Sequence, residues 1–115
     1  MKHITITSGG KEYAVKFGMN ALAMFCEMEN ISFDELNKLG TSLRIGQMIS
    51  LAYCGLKEGA RVCKQDFNLT KEDIGDMMDD DKDLITNIMS AFSSSQAVVK
   101  EEEEGEKLPV KEPAS

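Results

Sequence analysis

The chain has 115 residues, 42% of them hydrophobic, and a net charge of −7, which fits one domain around one modest core. It has no run of apolar residues long enough to span a membrane, and its start, "MKHITITSGG", has no apolar run of signal-peptide length, so a cytosolic protein is expected. The acidic balance argues against nucleic acid as the main partner, because phosphate contacts need clustered Lys and Arg, and the nearest cluster, "KEGARVCK", is diluted by Glu58.

Residues 2–17 read as a β-hairpin. Ile4 and Ile6 alternate with Thr5 and Thr7, and Tyr13, Val15 and Phe17 alternate with Ala14 and Lys16, as period-two side chains do on a strand. Gly9-Gly10 lies between the two strands and supplies the positive φ of a tight turn. A lone hairpin is marginal in water, so helices must cover its apolar face.

The first helix is expected over Met19–Glu29, capped by Asn20, with Ala21, Met24, Phe25 and Met28 on one face and Leu22 and Cys26 on the other side. The broader stripe is expected to face the hairpin or the third helix, which leaves Leu22 and Cys26 as the surface to watch. "ISFDEL" starts a short second helix: Ser32 and Glu35 form a capping box, Ile31 and Leu36 a hydrophobic staple, and Gly40 a stop. The third helix is expected over Ser42–Glu58. Ile45, Met48, Ile49, Ala52, Tyr53 and Leu56 form its apolar face, and Arg44, Gln47, Ser50 and Lys57 its polar side, interrupted by Leu51 and Cys54. So apolar a helix should be central, and Gly46 and Gly55 are suited to close packing of a neighbour.

"LTKED" repeats the start signal, with Thr70 and Asp73 as the box, Leu69 and Ile74 as the staple, and Ile74, Met77 and Met78 turned inward. "MMDDDKDL" ends that helix, and Asp80 or Asp81 caps the last one, which carries Leu84, Ile85, Ile88 and Phe92 on one face and Thr86, Ser90 and Ser94 on the other. The final "KEEEEGEKLPVKEPAS" holds six acids, three lysines and both prolines, a composition of disorder. The fold class is therefore α+β, mostly α: an N-terminal hairpin packed on four to five short helices over residues 1–97, with a disordered acidic tail over 98–115.

Catalytic and metal signatures are missing from the sequence. One histidine, His3, supports no Ser-His-Asp or Cys-His set, and "SGGK" lacks the rest of a phosphate-binding loop. Cys26, Cys54 and Cys63 have neither zinc-ligand nor disulfide-framework spacing and read as three reduced thiols. "DDDKD", residues 79–83, lacks the glycine and the distal glutamate of a calcium loop and reads as caps and solvated charge. No enzyme, cofactor or metal is expected.

Eight methionines are many for this length. Most methionines at helical spacing fill cores, yet the side chain also suits surfaces that accept more than one partner. Two apolar stripes on the first helix, and Leu51 with Cys54 on the third, are more than a small domain readily buries. Either other elements sandwich the first helix, or one stripe is exposed for a partner or for self-association.

The order of these segments resembles the tail assembly chaperones of long-tailed bacteriophages over roughly residues 11–95. The resemblance lies in a strand ending in an aromatic, "FGMNAL" opening a helix, a short "S-x-x-E-L" helix, an apolar "LRIGQMISLAYCGL" helix, "LTKEDIGDMM", and a final amphipathic helix before a polar tail. The resemblance implies a non-enzymatic protein of a phage or prophage. It would act in the host cytoplasm, keep the tape measure protein soluble, recruit tail tube subunits, and be absent from the finished virion. It also implies two product lengths through a programmed frameshift, for which "EEEEGEK" marks a candidate slippery region. The apolar pattern then places helix-in-groove contact at Met24, Phe25 and Met28 or at the opposite stripe Leu22 and Cys26, with Leu51 and Met77 behind them. The alternatives are a minor structural virion protein of the tail or head-tail connector, built through hairpin edges, and a small acidic regulator that binds a host protein.

Overall fold

The computed structural model describes residues 3–39 and 42–107, with side chains described as far as residue 95. Strands β1 (Ile4–Ser8) and β2 (Lys11–Val15) pair antiparallel in the register Ile4–Val15, Ile6–Tyr13 and Ser8–Lys11. Gly9 and Gly10, at φ +60° and +78°, make the two-residue turn whose twist suits a hairpin. β2 stops two residues before Phe17, which lies beyond the strand and is fully buried.

Five helices follow: α1 (Met19–Glu29), α2 (Phe33–Leu39), α3 (Ile45–Val62), α4 (Lys71–Asp80) and α5 (Asp83–Lys107). The architecture is the α+β, mostly α fold that the patterning predicts. Gly18, not Asn20, occupies the N-cap of α1; Asn20 lies in the first turn and its amide reaches α3 instead. Asn30 closes α1 in the left-handed conformation, its N–H returning to the Cys26 and Glu27 carbonyls. Both predicted capping boxes are present: Ser32 with Glu35 at 2.8 and 3.1 Å, and Thr70 with Asp73 at 2.9 and 3.1 Å. Asp81 takes the capping role before α5, its Oδ1 accepting the Asp83 N–H at 3.1 Å. Gly40, the predicted stop of α2, lies outside the described residues.

Helix α3 starts and ends later than predicted, and its buried face is displaced. Ile45, assigned to the apolar face, is 74% exposed, whereas Gln47, Ser50, Leu51, Cys54 and Glu58 are buried. The reason is enclosure from several sides. Gln47, Leu51, Cys54 and Glu58 recur at spacings of four, three and four, which puts them in one line along the helix. That line faces α1: Glu58 meets Asn20, and Cys54 meets Met28. A second side, through Gly55 and Gly59, accepts β2 and Phe17, and a third carries Ile49 against Gly75 of α4. The Leu51–Cys54 patch is thus core. Gly46 meets open space, so the close approaches are made at Gly55 and Gly59.

Helix α5 lays Leu84, Ile88, Ala91 and Phe92 into the core, with Phe92 edge-on to Phe17 at 5.6 Å between ring centroids. Its backbone runs on to Lys107, ten residues past the boundary drawn from composition. Glu and Lys are good helix formers, and residues 100–107 contain seven of them with one glycine. Residues 108–115 lie outside the described residues. Among the described residues, no helix is long and apolar enough to cross a membrane.

Candidate functional site

Burial divides the seven predicted contact residues into a closed set and a reachable set. Leu22, Phe25 and Leu51 are 2%, 0% and 0% exposed, so they are closed to any partner while the domain is folded. This corrects the expectation that Leu22 belongs to an outward stripe: the buried face of α1 is Ala21, Leu22 and Phe25, centred between the two stripes read from the sequence. Met24, Cys26, Met28 and Met77 remain reachable; Met28 is 37% exposed and the other three are half-buried.

The two α1 methionines stand on one edge of the helix. Asn20, Met24 and Met28 are four residues apart and therefore in line. Asn20 at one end donates to Glu58 Oε1 at 3.3 Å, and Met28 Sδ at the other accepts from Cys54 Sγ at 3.5 Å. The two contacts show that α1 runs antiparallel to α3 and that this edge borders the α1–α3 seam. Cys26 lies on the opposite edge, towards α2, where burial and the Glu35 carboxylate both raise its thiol pKa. Met77 stands on a different element, α4, which packs on α3 and α5. The predicted residues thus form a rim on α1, a sealed layer beneath it, and a separate position on α4.

Two exposed apolar residues stand at helix starts, one left out of the helical pattern (Met19) and one placed by it on the buried face (Ile45). Met19, 59% exposed, and Ile45, 74% exposed, are the first residues of α1 and α3. At a helix start the periodic pattern has no preceding turn to test it, so only their terminal position marks them.

The seam below the rim holds the buried charge. Glu58 is 3% exposed, yet it accepts from Arg61 Nε at 3.0 Å on both oxygens as well as from Asn20. The Arg61 guanidinium holds its carboxyl below the ordinary range, against the opposing effect of burial. Its hydrogen-bond partners among the described residues are the Asn20 amide and the Arg61 guanidinium. Burial pushes the Cys54 thiol up to about 12, so it is a neutral core group rather than a reactive one. Among the described residues, no three His, Cys, Asp or Glu side chains converge as metal ligands. No protein-family model, curated protein or solved structure matches the chain.

Proposed function

We propose that this chain is a non-enzymatic tail assembly chaperone of a long-tailed bacteriophage or prophage, which binds the tape measure protein and recruits tail tube subunits to it. The observation that carries this reading is the rim of α1. Met24 is partly exposed and Met28 37% exposed over a sealed core, and Met19, 59% exposed, stands at the start of the same helix. A flexible, polarizable thioether pair beside a helix–helix seam suits successive apolar residues along a long helical client. The net charge of −7 keeps a complex with an apolar client soluble. The order of the segments, similar to that of the chaperone family, supplies the choice of client.

Co-expression with the tape measure protein of the same genome tests the proposal. The client is soluble with the wild-type chain and largely insoluble with a Met24→Asp/Met28→Asp variant that keeps its helical circular dichroism. Equal solubility with and without the wild-type chain would remove the proposed client. Quantitative mass spectrometry of purified particles gives a second readout: a stoichiometric presence in the virion contradicts an assembly chaperone and favours a structural component.

A further inference from the structure

The two edges of the hairpin are treated differently. The closing pair of a two-residue hairpin, here Ser8–Lys11, exchanges hydrogen bonds, and bonded pairs alternate along the ladder. Ile4 and Ile6 therefore bond to β2, while the N–H and C=O groups of Thr5 and Thr7 point away from it. On β2 the outward groups are covered by α3. Lys16 N–H donates to the Gly55 carbonyl at 3.0 Å, and a Cβ at Gly59 would stand 2.7 Å from the Val15 nitrogen and nearer still to the Ala14 carbonyl oxygen. On β1 no such cover exists among the described residues, and Thr5 and Thr7 have no backbone partner there.

A groove of about 420 Å³ runs along that open edge. Ile4, Thr5, Ile6 and Thr7 all line it, and Asn87, Ser90, Ala91 and Ser94 of α5 form the facing wall. Consecutive strand residues point to opposite faces, so a groove touching all four follows the strand's edge rather than a face. None of the eight lining residues is charged, in a chain where 29% are. Natural edges are usually guarded by Lys, Pro or a bulge; "ITITS" has none of these.

We propose that β1 is the homodimerisation strand, pairing antiparallel with β1 of a second copy about a two-fold axis at Ile6. In that register Thr5 of one copy faces Thr7 of the other, and each such pair exchanges two backbone hydrogen bonds. Ile6 faces Ile6 as the non-bonded pair, in phase with the bonds Ile6 already makes to β2. The result is a four-stranded sheet, β2-β1-β1-β2. A second copy is the occupant for two reasons: the register is self-complementary, and two chains of charge −7 meet here without opposing a single acid. This pairing does not depend on the proposed client.

Light scattering coupled to size exclusion, on the full chain, is the test. The wild type is a dimer. Thr5→Lys/Thr7→Lys places like charges opposite each other on exposed positions and yields a monomer with unchanged circular dichroism. Mixing it with Thr5→Glu/Thr7→Glu restores a dimer of one chain of each kind. Amide hydrogen exchange guards against a variant that merely unfolds: in the wild type the Thr5 and Thr7 amides are protected and lose protection on dilution to monomer. A wild type that stays monomeric, a dimer indifferent to both double variants, or Thr5 and Thr7 amides that exchange freely in the dimer would each overturn the pairing.

Discussion

The Phe17 ring lies directly over Gly55 of α3. A Cβ built at Gly55 would stand 3.1 Å from Phe17 Cε2, with Cζ and Cε1 nearer still. Phe17 cannot swing aside, because it is 1% exposed and braced edge-on by Phe92. Gly55→Ala therefore costs about 1–3 kcal/mol by overpacking, set against about 1 kcal/mol of improved helix propensity. Gly59→Ala is worse, since its obstacle is the backbone of Ala14 and Val15 rather than a side chain. Thermal denaturation is expected to rank wild type above Gly55→Ala above Gly59→Ala. Gly46→Ala, which meets open space, is expected to raise the midpoint.

Glu58 links the α1–α3 seam to pH. Its folded-state pKa is lowered, first by the hydrogen bonds from Arg61. A lowered carboxylate pKa contributes stability that is full above the unfolded-state value and lost as pH falls through the folded-state value. Denaturant midpoints measured from neutral pH down through the carboxylate range should decline in the wild type. Glu58→Gln should lower the midpoint at neutral pH and flatten that decline; an unchanged slope would mean other carboxylates dominate.

The three thiols separate by burial. Cys54 is sealed, with its pKa pushed up to about 12, whereas Cys26 and Cys63 are half-buried. Under native conditions a thiol reagent should label two cysteines per chain and reach the third only on unfolding. Rapid native labelling of all three would show that the seam beneath Met28 opens.

The rim and the layer below it should respond in opposite ways. Phe25→Ala and Leu51→Ala empty fully buried positions and should cost about 3–5 and 2–5 kcal/mol. Met24→Ser and Met28→Ser, at partly exposed positions, should cost about 1 kcal/mol or less each. Under the proposed function their effect is expected in client binding, read as a drop in affinity with the fold intact.

Local signals in this chain proved legible wherever the determinant was itself local. The Gly9-Gly10 turn, the Ser32 and Thr70 boxes, the Asp81 cap and the inward face of α5 all follow from neighbours within one turn of chain. The face of α3 did not. Gln47 belongs to the side expected to be solvated, yet it and Glu58 are buried, with Gln47 Oε1 accepting the Arg44 N–H and Glu58 accepting from Asn20 and Arg61. Those partners make polar burial tolerable, and for Asn20 the partner lies 38 residues away, beyond any periodic window. The same blindness shifted α1: with α3 packed along one edge, Leu22 went into the core and Met24 and Met28 came to the rim.

Methionine-methyl NMR on the full chain tests most directly whether the α1 rim receives the proposed client. Titration with a soluble helical segment of the tape measure protein should shift or broaden the Met24 and Met28 methyls, while the buried Met78 methyl stays in place. Unmoved Met24 and Met28 signals in the presence of bound segment would contradict contact at that rim.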